Sequence, residues 1–284
     1  MRQTTVQVND GMMADFQQYL IEREASLATR KKYIRDVKCF FYYLGERKIF
    51  TKETLLEYKT WLIERYAASS VNSMLVALNQ FLVSQELGHM KLKRLKIQRQ
   101  CFCEKEKELT KKDYQKLIQT ARSEGKEQIA LIMETIAATG IRISELEAFR
   151  AEDVKKGSVE VINKGKYRVV ILTKALQKKL QLYIRKNNIK TGPIFLTKNG
   201  RSKDHSNIWR EMKALAERAN VDAQKIFPHN LRHLFARTFY RLTKNLAMLA
   251  DILGHSSLDV TRIYTMKNIG EWRREIEKLN LLLE

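Results

Sequence analysis

S-V-E-V-I-N-K-G-K-Y-R-V-V-I-L, residues 158–172, breaks the period of this chain. Two β-branched runs, 158–162 and 167–172, flank N-K-G-K. A glycine in so short a connection is a hairpin signal. On either side the apolar spacing returns to that of helices. Downstream, helical patterns cover 174–186, 206–219, 229–242, 244–253, 258–266 and 271–283. Upstream they cover 110–122, which Thr110 can cap, then 127–140, then R-I-S-E-L-E-A-F at 142–149. One hairpin among many helices predicts a mostly helical domain with a small sheet.

Farther upstream the pattern is helical throughout. A-D-F-Q-Q-Y-L-I-E-R opens it. The next segment starts at a capping Ser26 and stops before Gly45. Tyr33, Ile34, Val37, Phe40, Phe41 and Leu44 recur along it at helical spacing, and Arg30, Lys31, Lys32, Arg35 and Lys38 occupy the opposite face. A third helix starts near Thr51 and a fourth is closed by Gly88, so four helices make a small bundle. Residues 91–107 carry seven Lys or Arg and have the look of a basic linker, suited either to water or to a phosphate backbone. The predicted organisation is an N-terminal unit over 1–95, a linker over 96–108 and a second unit over 109–284, with a C-terminal amphipathic helix over 270–284.

The chain has 284 residues and a net charge of +21. Residues 1–103 hold 17 Lys and Arg against 10 Asp and Glu, and the remainder holds 36 against 22. A surplus on both units predicts that both grip one polyanion, and DNA is the expected one. No apolar run approaches the roughly 20 residues of a membrane span. The first residues hold no apolar signal core, so a cytosolic protein is expected. Cys39 lies in an apolar helical stretch and is expected in the core. Cys101 and Cys103 form a C-x-C without a second ligand pair, so no metal site is expected. No G-x-x-x-x-G-K-[ST] loop is present, and no paired carboxylates suit a two-metal nuclease.

The chemistry lies in three stretches: A-T-G-I-R-I-S-E-L (138–146), P-H-N-L-R-H (228–233) and L-G-H-S-S-L-D-V-T-R-I-Y-T (253–265). Pro228 can start a helix, which places His229 and Arg232 on one face near its positive end. Gly254 can end a helix just before His255, and Tyr264 follows nine residues after that histidine. Arg142 follows a Thr-Gly-Ile turn. Taken singly, each is an ordinary surface or packing residue. Together, two arginines can hold both non-bridging oxygens of a phosphodiester and stabilise a pentavalent transition state. A phenol can attack it if a cationic setting or a base activates the oxygen, and histidines can donate hydrogen bonds or move protons. A lysine on the hairpin, Lys164 or Lys166, can protonate the leaving 5′-oxygen.

These motifs resemble the tyrosine recombinases of the phage integrase family, in a layout similar to Xer-type recombinases and transposon-borne resolvases. The resemblance covers much of 109–267 and implies a catalytic set of Arg142, Lys164, His229, Arg232, His255 and Tyr264, with Lys166 the fallback for the hairpin lysine. Glu145 matches a family position more structural than chemical. The implied fold is mainly α with a small β-sheet: a SAM-like core-binding bundle plus a mixed α/β catalytic domain, closing as a C-shaped clamp on DNA. The implied activity is strand cleavage and rejoining through a 3′-phosphotyrosyl link and a Holliday junction, in integration, excision or resolution, as on mobile elements in a bacterial cytosol.

No cofactor is implied. The implied partners are double-stranded DNA with an inverted-repeat core site and three further copies of the chain, a tetramer on two sites that is monomeric when free. Arg30, Lys31, Lys32, Arg35 and Lys166 are the expected DNA contacts. The resemblance also allows the C-terminal helix to dock on a neighbouring protomer. Two rivals are a type IB topoisomerase-like enzyme, which would relax DNA without strand exchange, and a non-catalytic DNA-binding regulator.

Overall fold

The computed structural model describes residues 5–9, 11–97, 108–163, 165–197, 199–255, 257–264, 273–274 and 277–278. The chain divides into two compact units, residues 1–100 and 101–284. Most of the expected linker, together with Cys101, Cys103, Lys164 and most of the expected C-terminal helix, lies outside the described residues.

The first unit holds four helices: α1 (Gly11–Glu22), α2 (Leu27–Leu44), α3 (Lys52–Arg65) and α4 (Ala68–Ser84). Ser26 caps α2 by accepting from the Thr29 amide, and Thr51 caps α3 through Thr54. Phe16, Phe40, Tyr58, Leu75 and Phe81 are among the side chains buried where the helices meet. Edge-to-face rings tie this core together: Phe16 to Phe81, and Phe40 to Phe50. Two short strands escaped the sequence reading. β1 (Val6–Gln7) pairs antiparallel with β2 (Ile49–Phe50), and strands this short leave no alternation to detect.

Two expectations are corrected in this unit. α4 ends at Ser84, four residues before Gly88, because Glu86 adopts the left-handed conformation that reverses the chain. Cys39 is only half-buried. Residues 91–95 are bound to the bundle: Asn79 and Asn72 each exchange a pair of hydrogen bonds with the backbones of Leu92 and Leu95, at 2.7–2.9 Å. Lys52 and Lys59 donate to carbonyls at Met90, Lys91 and Lys93. The basic side chains of this stretch therefore leave a pinned backbone.

The second unit begins with α5 (Lys111–Ser123) and α6 (Glu127–Thr139). A reciprocal pair between Thr110 and Asp113 caps α5. α6 is apolar nearly all round and is correspondingly buried, packed against α5 and against α10 (Pro228–Thr243). Its buried threonines, Thr135 and Thr139, return their hydroxyls to carbonyls one turn back. The stretch after α6 is a 3-10 turn over Ile143–Ala148 rather than the expected α-helix. Gly140 ends α6 with a left-handed φ of 65°, and a Cβ there would lie 2.4 Å from the Phe235 ring. Arg142 is then extended, and too few residues remain before the extended Phe149 for a longer helix.

α7 (Ala151–Lys156) leads into β3 (Ser158–Asn163) and β4 (Lys166–Ile171), an antiparallel hairpin pairing Ile162 with Tyr167 and Ser158 with Ile171. Val159, Val161 and Val170 face the core. Ile162, Tyr167, Val169 and Ile171 are exposed on the other face. α8 (Lys174–Lys186), α9 (His205–Lys213), α11 (Leu246–Leu253) and α12 (Leu258–Thr261) complete the unit, and a 3-10 turn over Arg262–Tyr264 follows. α9 stops at Lys213, short of the helical pattern that runs to 219, and turns replace its last stretch. No described helix is long and apolar enough to cross a membrane.

Candidate active site

α10 begins at Pro228, and its first turns present His229, Arg232 and His233. Arg232 is 1% exposed. Its fork donates to the Gly140 carbonyl at 2.6 Å and the Leu253 carbonyl at 2.9 Å, and Nη2 lies 2.9 Å from His255 Nε2. A guanidinium can only donate, so Nε2 accepts and the His255 proton sits on Nδ1. From there it is donated to Thr261 Oγ1 at 2.8 Å. The end of α6, the end of α11 and the His255 turn thus close on one buried arginine. Burial chiefly, then neighbouring Arg142, pull that arginine down to about 10.

Arg142 reaches the same place from the 3-10 turn. Its amide and Nη1 both donate to the Glu145 carboxylate, at 2.8 and 3.1 Å, and its side chain remains 34% exposed. Arg142, Ser144, His205, Trp209, His229 and Arg232 line a cleft of about 510 Å³. Tyr264 lies outside that lining. It is 5% exposed, in an apolar cluster with Ala236, Leu249 and Leu253. Its ring stacks 6.3 Å from His255 and meets His233 edge-on at 5.1 Å, and His233 meets His229 at 4.7 Å.

The electrostatics follow from burial among cations. His233 and His255 are lowered to about 4, by burial first; His229 and Arg232 add to the shift of His233, and Arg232, Arg142 and Arg168 to that of His255. His229 is open to solvent at the cleft, yet the protein around it, then Arg232 and Arg142, hold it below 6.5. All three rings are neutral at physiological pH. Burial raises the Tyr264 phenol, while Arg232, Arg142 and Arg237 pull it back.

Five of the six expected catalytic residues therefore adjoin one another: Arg142, His229, Arg232, His255 and Tyr264. Lys164 lies outside the described residues. Lys166 opens β4, at the tip of the hairpin. Of the expected DNA contacts, Lys32 and Arg35 pair with Asp36, a carboxylate buried on α2. Among the described residues no group of three His, Cys, Asp or Glu is placed to hold a metal ion. Sequence reasoning missed His233, Thr261 and Arg168. His233 had a signal, since it stands beside Arg232 in P-H-N-L-R-H; Arg168 is a polar step in a β-branched run and Thr261 a polar residue of a short mixed helix, and neither position signals a partner.

The model of the phage integrase family matches residues 107–271. This chain belongs to that family, the tyrosine recombinases. It is 27% identical to the tyrosine recombinase XerD of Listeria monocytogenes serotype 4b (strain F2365), over 91% of this chain and 94% of that protein. Its fold is similar to that of XerH recombinase bound to difH substrate in a pre-cleavage complex, with a TM-score of 0.69, 18% identity, and coverage of 93% and 84%. A lambda integrase tetramer bound to a Holliday junction gives a TM-score of 0.70 at 16% identity, covering 93% and 78%. At these identities the structures speak for the fold, and this tyrosine recombinase is mainly helical with small sheets.

Proposed function

We propose that this recombinase breaks and rejoins DNA at a specific site, with Tyr264 as nucleophile. The observation that carries the reading is the convergence of Arg142, His229 and Arg232 on one cleft, with His255 and Tyr264 bonded or stacked directly behind them. Arg142 and Arg232 hold the non-bridging oxygens of the scissile phosphate and take up the charge of the pentavalent transition state. The Tyr264 oxygen attacks phosphorus, its proton passing to a neutral imidazole, and the 5′-oxygen leaves with a proton from Lys164. The freed 5′-hydroxyl of a partner strand reverses the step and displaces the tyrosine. Bond energy is conserved in the phosphotyrosyl ester, so no nucleotide is consumed.

The Tyr264 oxygen lies within hydrogen-bonding reach of Arg232, which lines the cleft, so the nucleophile stands beside the arginine that holds the phosphate. The solved relatives bound to DNA, and the lambda integrase tetramer on a Holliday junction, support the same assembly here. In that assembly four copies sit on two inverted-repeat sites, and both basic units contact the duplex. Arg30, Lys31, Lys32 and Arg35 meet backbone phosphates, and Asp36 holds Lys32 and Arg35 in place for them.

The test uses a duplex selected from a randomised pool by binding to the wild-type chain, nicked so that the cleaved fragment escapes. Wild type should accumulate a covalent adduct. Tyr264→Phe should bind the same duplex and give none; an adduct of normal yield from that variant ends the assignment.

A further inference from the structure

Arg168 belongs to none of the motifs that carry the chemistry, yet it joins three of their segments. It lies on β4, two residues from Lys166, and points inward with its side chain 13% exposed. Nη2 donates to Glu145 Oε2 at 2.6 Å, and Nη1 donates to the Ile252 carbonyl, at the end of α11 just before the His255 turn. Its stem packs on Gly254: a Cβ there would stand 2.6 Å from Arg168 Cδ. The hairpin, the Arg142 turn and the His255 turn are thereby pinned to one side chain.

The carboxylate between the two arginines gives this brace its consequence. Glu145 is 3% exposed and serves Arg142 and Arg168 together. Arg168 takes the direct bond at 2.6 Å, while the Arg142 side chain reaches the other oxygen through Nη1 alone, at 3.1 Å. The rest of the Arg142 fork stays free to face the cleft. A buried carboxylate that lost Arg168 would seek both nitrogens of Arg142, because a fork-on-fork pair is the strongest arrangement open to it. Arg142 would then fold away from the phosphate position.

We propose that Arg168 is a positioning residue: it occupies Glu145 so that Arg142 faces the cleft, and it ties the His255 turn and the lysine hairpin to the same brace. This rests on the strand-cleavage reading above. The experiment measures the single-turnover rate of adduct formation on the nicked, selected duplex at saturating protein, with duplex affinity and melting temperature measured alongside. Arg168→Met keeps the stem and removes the fork. It should bind within about threefold of wild type and form adduct about 100-fold more slowly, the usual scale for a displaced catalytic group. Adding Glu145→Gln should recover at least about tenfold of that rate, since a neutral amide no longer captures Arg142. A merely structural Arg168 predicts the opposite, a double variant slower than either single.

Arg168→Met cleaving within about threefold of wild type would overturn the proposal, as would a double variant that recovers nothing. If Arg168→Met does not fold, Arg168→Lys decides: its single ammonium cannot serve Glu145 and Ile252 together, so about tenfold slower cleavage is expected, and full-rate cleavage refutes the brace. Failure of wild type to form any adduct would instead sink the parent reading.

Discussion

Replacing His233 with phenylalanine isolates one titration beneath the cleft. The His233 ring touches His229 on one side and Tyr264 on the other, and burial, then His229 and Arg232, lower it to about 4. In the unfolded chain it returns to about 6.5. Between those values the unfolded state binds a proton that the native state refuses, so stability falls as pH drops below about 6.5 and levels off near 4. At pH 5 the deficit from this ring is about 2 kcal/mol, from roughly 1.5 pH units at about 1.36 kcal/mol each. At pH 7.5 it is close to zero. Phenylalanine keeps the aromatic packing and cannot titrate. Urea unfolding at pH 7.5 and 5.0 should therefore show wild type losing about 2 kcal/mol more than His233→Phe on acidification. The variant should retain some acid sensitivity, because His255 is lowered in the same direction. Equal losses in the two proteins, or a His233 ring proton titrating near 6.5 by NMR, would refute the burial argument.

Three further outcomes follow from named contacts. With sulfur replacing the bridging 5′-oxygen the leaving group needs no acid, so Lys164→Ala should form adduct about 100-fold slower on oxygen and near wild-type rate on sulfur. That signature from Lys166→Ala instead would move the acid to Lys166. Gly254→Ala puts a Cβ on a residue with φ of 64° and 2.6 Å from Arg168 Cδ. It should cost at least about 1 kcal/mol, seen as a melting temperature lower by about 2–4 °C per kcal/mol, and an unchanged melting temperature would refute the contact. Thr261→Val removes the hydroxyl that accepts from His255 Nδ1. Adduct formation should slow about tenfold with duplex affinity unchanged, the scale seen when an outer partner of a working histidine is lost; an unchanged rate would refute the role given to that hydroxyl.

The hairpin was legible because β-branched residues alternate across N-K-G-K, and the caps at Ser26, Thr51 and Thr110 because a hydroxyl before an apolar period has one favoured use. The 3-10 turn at 143–148 was not legible. I-S-E-L-E-A carries helix-forming residues, and only the reversal at Gly140 and the extended backbone at Arg142 dictate the tighter turn. Of the site, the motif residues were readable because each occurs in a dense, spaced group. Arg168 and Thr261 were not. Arg168 looks like the polar step of an alternating strand, and its partners lie 23 and 84 residues away. Thr261 looks like a turn residue of a short helix until the His255 tautomer is known. Asp36 was hidden in the same way: a lone acid in a basic face signals nothing until it is found buried beneath Lys32 and Arg35.

The state of Arg232 carries the functional argument furthest. Burying a guanidinium is costly unless an anion meets it. Here it donates to two backbone carbonyls and a neutral imidazole and lies within hydrogen-bonding reach of the Tyr264 phenol, and its buried Nε has no partner among the described residues. The nearby carboxylate, Glu145, is already held by Arg142 and Arg168. A side chain selected only for stability at this position would be apolar or would face a carboxylate. The fold instead holds a desolvated guanidinium in place, with Arg142 and His229 beside it at the cleft, and burial first, then Arg142, pull its pKa down to about 10. Under the proposed function, a phosphodiester at the cleft meets the guanidinium's charge, and meets it more strongly as the transition state gathers charge. In that proposal the buried guanidinium gains most when the phosphate carries most charge, which is the condition for catalysis rather than for binding alone.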